Sequence, residues 1–172
     1  MSFPGKFWLL LGGLTMCGSV LAEPGNDYES QKWQEIDVQL PASPSDSTLQ
    51  AFYVSAASGN EFFIDLATLS VDADGVVRYV LLVTTPEGGR NISFEGMRCE
   101  TREHRIYASG RRDGAWSRAR SDAWSRIREV YANRQHAALF LDYFCPGGTI
   151  VRDAAEAKAA LRNGGHRDRV QP

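Results

Sequence analysis

The 172-residue sequence lacks the short motifs that most directly announce a reaction. It has no HExxH or paired CxxC to hold a metal, no GxSxG nucleophile elbow, no P-loop and no Rossmann glycine pattern. Long apolar runs are missing as well, which excludes a polytopic membrane protein. With only three cysteines, a dense disulfide framework is excluded. The formal net charge is −2, which does not favour a general polyanion binder, so nucleic acid is not expected as a partner. What remains is ordinary for one water-soluble globular domain: 43% hydrophobic, 10% aromatic and 23% charged residues. A chain of this size can bury roughly 70% of its unfolded surface without a structural metal. No cofactor and no metal are expected.

Residues 1–22 read as an export signal. Lys6 precedes an uncharged stretch, 7–22, that opens its apolar run with Leu9, Leu10 and Leu11. That stretch is short for a bilayer span, and Gly12, Gly13 and Gly18 weaken it as a helix. It ends in Val20-Leu21-Ala22, with small residues at the two positions a signal peptidase reads, before Glu23 and Pro24. Cleavage there discards Cys17, leaving no membrane span and two cysteines, Cys99 and Cys145. In an oxidising compartment that lone pair is most simply one disulfide. The competing reading is a lipoprotein anchored at Cys17. Leu14-Thr15-Met16-Cys17 has the leucine such a site needs but places a bulky methionine where a small residue belongs.

After the signal, 23–47 reads as a polar N-terminal arm with anchors at Trp33, Ile36 and Leu40, followed by the linker 41–47. The domain is expected over 48–165, with a frayed tail at 166–172. Strand-like runs occur at 49–56, 61–65, 68–71, 76–85, 91–99 and 105–109, separated by turn chemistry such as Asp72-Ala73-Asp74-Gly75 and Pro86-Glu87-Gly88-Gly89. The run 76–85 is apolar almost throughout except for Arg78, the pattern of a central strand covered on both faces. Helices are expected in the C-terminal part. Ser121 or Asp122 caps one that carries Trp124, Ile127, Val130 and Tyr131 at helical spacing; Asn133 starts a second through Leu139, Phe140 and Tyr143; Asp153 caps a third over 154–162. The expected class is therefore α+β, an antiparallel β-meander of about six strands covered on one face by C-terminal helices. Charge divides along this order: 23–89 holds 11 acidic and 2 basic residues, and 90–145 holds 11 basic and 7 acidic.

Several segments together resemble the CNP1-like proteins, a group of exported bacterial proteins. They are Asp74-Gly75-Val76-Val77-Arg78-Tyr79, Phe94-Glu95-Gly96-Met97-Arg98-Cys99, the tryptophans Trp116 and Trp124, and the segment 136–145 ending Leu141-Asp142-Tyr143-Phe144-Cys145. The resemblance spans about residues 33–146. It implies a periplasmic or envelope location and brings no known activity, ligand or catalytic residue.

Candidate functional residues are few. Asp72 and Asp74 before Gly75 imitate a calcium loop, but Ser70 and Leu81 stand where its strongest ligands belong, so a hairpin turn is the better reading. Arg78 in an apolar strand needs a carboxylate, for which Glu95, Asp65 or Asp142 is expected, and the pair is either structural or, like Arg98, able to capture a carboxylate or phosphate. The repeated hexapeptides Ala115-Trp116-Ser117-Arg118-Ala119-Arg120 and Ala123-Trp124-Ser125-Arg126-Ile127-Arg128 interleave tryptophan with arginine, which either stacks on a ligand or packs on the sheet. A zinc set of Cys99, His104 and Cys145 is the weaker alternative to the disulfide. The leading functional expectation is a non-enzymatic binder of an envelope protein, a glycan or another anionic ligand through the basic segment 90–128. The alternative is a hydrolase with His104 or His136 as base near Asp65 or Glu95.

Overall fold

The computed structural model describes Met1, residues 33–130 and residues 134–166. The rest of the expected signal with Cys17, the first residues of the arm, Tyr131, Asn133 and the tail beyond 166 lie outside the described residues.

Eight strands form one antiparallel sheet: β1 (Leu49–Phe52), β2 (Glu61–Asp65), β3 (Ser70–Val71), β4 (Val76–Thr84), β5 (Arg90–Arg98), β6 (Glu103–Gly110), β7 (Trp116–Arg118) and β8 (Ser125–Arg126). Their order is β1-β2-β4-β5-β6-β7, with β3 beside β4 and β8 beside β6. Each of the six expected runs supplies a strand, and the strand count is corrected from six to eight by β7 and β8. The β3–β4 hairpin closes where Gly75 takes φ 76° and its N–H donates to Asp72 O at 3.0 Å.

The extra strands replace the helix expected over 121–131. β6 would otherwise present a row of unpaired backbone groups at the sheet edge. The two tryptophan-arginine repeats cover it, β7 pairing with Ala108 to Gly110 and β8 with Glu103 and His104. Among the described residues of that segment only Ile127 is fully buried, its N–H donating to Arg102 O at 2.9 Å, whereas Val130 is exposed. A helical spacing of apolar residues with so little to bury does not outweigh the hydrogen bonds gained at an edge.

Four helical pieces of the C-terminal part cover one face. α1 (Arg134–Ala138) runs directly into a π-helix, Leu139–Phe144, and a short 3-10 turn follows at Pro146–Gly148. α2 (Ala154–Asn163) starts where the Asp153 side chain accepts the Glu156 N–H at 2.8 Å. It ends at Gly164, φ 74°, with the Gly165 N–H closing on Ala160 O at 2.8 Å.

Because side chains alternate across a strand, β4 feeds two cores. Val77, Tyr79 and Leu81 join Ile64, Met97, Leu139, Tyr143, Phe144 and Leu161 beneath the helices. Val80 points the other way, into a smaller cluster with Phe94 and Tyr107 that Val38 and Leu40 of the arm pack against. A disulfide ties Cys99, just past β5, to Cys145, just past the π-helix, with Cα atoms 5.5 Å apart. It locks the helical layer onto the sheet.

The two cysteines are 46 residues apart, so closing that loop stabilises by about 4 kcal/mol on the chain-entropy model. The double variant C99A/C145A is expected to unfold at markedly lower urea concentration than the oxidised protein, and reductant is expected to move the wild type toward it. Identical midpoints with and without reductant would show that the bond carries no stability.

Candidate functional site

On the helix-facing side, one buried polar cluster interrupts the apolar core. β5 places Glu95 opposite Tyr79 of β4, and α1 brings His136 over it. Glu95 Oε2 lies 2.8 Å from His136 Nε2 and accepts from the Tyr79 hydroxyl at 3.2 Å, while Ser93 donates to Oε1. His104, on β6, stacks on His136 with ring centroids 3.9 Å apart and planes 22° off parallel. Burial pushes the Glu95 carboxyl up, but the hydrogen bond and charge of His136, with help from Ser93, bring it below the usual carboxylate value. The Tyr79 hydroxyl is raised by burial and by Glu95 beside it. His104 is lowered to about 4 by burial and by the neighbouring His136, against the pull of Glu95.

The opposite face carries a second polar network built on Arg78. Its guanidinium, 4% exposed, bonds Asp72 at 2.8 Å, Asp74 at 2.6 Å and Glu35 of the arm at 3.3 Å. Glu35 also meets Arg105 and the Tyr107 hydroxyl. The arm is held further by the Trp33 indole N–H on Asp74 O at 2.7 Å and the Ile36 N–H on Asp74 Oδ2 at 3.1 Å. Burial pushes the Asp74 carboxyl up, but the Arg78 hydrogen bond and charge, with the Ile36 and Val76 N–H groups, set it below its ordinary value. Tyr107 lies flat against Gly96, where any Cβ would collide with its ring and hydroxyl. Between the arm and the segment 118–122 runs a cleft of about 630 Å³, with Glu35, Arg105, Tyr107 and Arg118 in its walls.

The expected site residues separate into these networks. Arg78 does not reach Glu95, Asp65 or Asp142. Its cross-strand neighbour is Gly96, so Glu95, one residue along β5, points to the other face. Asp65 instead caps its own turn by accepting the Ala67 N–H at 3.1 Å. Asp72 and Asp74 are occupied by Arg78, and Cys99 and Cys145 by each other. Arg98 lies 3.7 Å from the Trp33 ring centroid and bridges Glu103 at 3.6 Å, and Trp124 meets Trp33 edge to face at 5.9 Å. The Trp116 indole donates to Pro41 O at 2.7 Å. Both repeat tryptophans are half-buried, while Arg118 and Arg126 are exposed.

Sequence reasoning brought His136 and Glu95 together as alternatives and missed Glu35, Tyr79, Arg105 and Tyr107. The interior glycine of β5, Gly96, is the signal that points to the close approach of Tyr107.

The sequence profile of the CNP1-like family matches residues 28–162. No curated protein and no solved structure matches the chain.

Two outcomes follow from the networks. The His104 value lies near 4 in the folded protein and 6.5 in an unfolded one, so the unfolded chain binds the proton first. Stability is therefore full above pH 6.5 and is lost as pH falls toward 4. Urea midpoints between pH 7 and pH 4.5 are expected to fall, with His104 contributing on the order of 3 kcal/mol, and H104Q is expected to flatten the slope. Equal slopes in the two proteins would remove His104 from the transition. Separately, E35A withdraws the shared partner of Arg78, Arg105 and Tyr107 and is expected to cost about 2–4 kcal/mol. Tryptophan emission is expected to shift red as Trp33 leaves the sheet.

Proposed function

The chain belongs to the CNP1-like family, and from the chemistry of its surface we propose that it is an exported, non-enzymatic binding protein of the periplasm. The ligand is an anionic envelope glycan, taken on the arginine-bearing edge that β7 and β8 add to the sheet.

The observation that carries this reading is a set of exposed arginines without ion pairs in the segment that β7 and β8 occupy. Arg112, Arg118, Arg120, Arg126 and Arg128 are exposed, and none has an ion-pair partner among the described residues. The same edge does use arginine for structure elsewhere, as Arg102 bonds Glu129 at 2.6 Å. Exposed guanidinium forks suit bidentate capture of phosphate or carboxylate groups. The half-buried Trp116 and Trp124 anchor the two short strands that present them, so the charges sit on a framework rather than on free loops. Arg118 also lines the 630 Å³ cleft beside the arm, giving the edge a recess for part of a ligand. Export fits the uncharged N-terminal run and the disulfide.

The hydrolase alternative has its histidine-carboxylate pair in hydrogen-bond reach, but that pair is closed to substrate: His136 is 4% and Glu95 2% exposed. A general base has to touch the proton it moves.

Lipopolysaccharide micelles serve as the probe, with neutral phosphatidylcholine vesicles as control. The mature protein is expected to bind the micelles and not the vesicles, with affinity falling as salt rises. R118A/R120A/R126A/R128A is expected to weaken binding at least tenfold, about 1.4 kcal/mol, with unchanged melting. Equal binding by wild type and variant would overturn the assignment of this edge.

A further inference from the structure

The buried cluster under α1 is not accounted for by the binding edge, and an ion pair explains only part of it. One potential ligand atom from each of Glu95, His104 and His136 lies within 4.8 Å of the others. Hydrogen bonding to Glu95 uses His136 Nε2, yet Nδ1 of His136 and Nδ1 of His104 are buried with no hydrogen-bond partner. Both residues are more than nine-tenths buried, at 4% and 8% exposure. Such an orphaned group costs about 1–3 kcal/mol, and Nδ1 of His104, stacked against His136 and within reach of Glu95, is a buried donor atom with nothing to bind it. Around them, the Glu95 carboxylate is aimed by the Tyr79 hydroxyl and Ser93, the outer hydrogen bonds that orient a metal-ligating carboxylate.

We propose that Glu95, His104 and His136 form a binding site for one divalent transition-metal ion. Two imidazoles and one carboxylate make a borderline donor set that suits zinc, cobalt or nickel, whereas calcium and magnesium need more oxygen ligands. A cysteine-containing alternative is closed, because Cys99 and Cys145 are bonded to each other.

Without an ion, a proton holds His136 Nε2 and Glu95 Oε2 at 2.8 Å. The ion takes the Nε2 lone pair in place of that hydrogen bond, the ring proton passing to Nδ1 so that the imidazole stays neutral, and the donors separate to about 3.4 Å, as ligands 2.0–2.2 Å from a tetrahedral centre require. The stacked rings turn so that their in-plane lone pairs converge. His104 supplies the route from solvent, since it also lines a cleft of about 350 Å³ together with Ser121 and Ser125.

Chelator-treated, untagged mature protein, titrated calorimetrically with zinc and with cobalt, tests the site. One ion per chain and visible ligand-field absorption with cobalt are expected. E95Q and H104Q are each expected to weaken uptake at least about tenfold, a loss of at least 1.4 kcal/mol. H166Q is expected to leave it unchanged, because His166 bonds the Tyr143 carbonyl outside the cluster. Nitrogen-resolved NMR of the wild type guards against variants that fold poorly: zinc is expected to shift the ring signals of His104 and His136 and not those of His166. No uptake, stationary His104 and His136 signals, or uptake that E95Q and H104Q leave intact would overturn the proposal.

Discussion

A guanidinium in the middle of an apolar strand is the constraint around which one whole face of this protein is organised. Arg78 has almost no solvent, so its charge has to be met by protein carboxylates. Asp72 and Asp74 come from the turn leading into the same strand, and that alone would give a local, self-contained pair. The third, Glu35, comes from the N-terminal arm, 43 residues away in sequence, and is shared onward with Arg105 and Tyr107. Meeting one buried charge thus draws the arm across β4 and β6, where Val38 and Leu40 cover Val80 and Phe94. The cleft beside Arg118 exists because the arm is held there.

The other face solves a different problem with different means. Its side chains are apolar apart from the Glu95 cluster, and covering them falls to the helical pieces of 134–163, fastened by the Cys99–Cys145 bond. The sheet therefore has a cover held by charge on one side and a cover held by apolar packing and a covalent link on the other. Acid acts on the first through Asp74 and on the second through His104 and Glu95, so both weaken in the same direction of pH.

How much of this could be read from residues alone depends on the range of the interaction. Turn chemistry is local, and Asp72-Ala73-Asp74-Gly75 and the Asp153 to Gly164 caps mark their elements where the structure has them. The nearly unbroken apolar run of β4 likewise announces a strand covered twice. The helix read over 121–131 fails because a spacing of apolar residues carries no information about the bare edge of β6, which only the assembled sheet possesses. Glu95 stands among the three carboxylates expected for Arg78 because the sequence carries no register: a single-residue offset across β4 and β5 decides which face a side chain joins, and Gly96, not Glu95, is opposite Arg78. His136 with Glu95 was within reach of sequence reasoning as two residue types that belong together. Their stacking partner His104 and the tyrosine that steadies them depend on three strands and a helix meeting at one point.

Placing the helical cover at the end of the chain also sets an order of events during synthesis. Residues of the sheet emerge first, showing Phe52, Ile64, Leu81 and Met97 on a face that nothing yet hides, and the last segment needed to hide it ends at Leu161. At about 5–20 residues per second, the span from Met97 to Leu161 takes some seconds to appear. Throughout that interval the nascent chain is an unfinished, sticky half-structure, and Cys99 waits as a free thiol for a partner that has not been made.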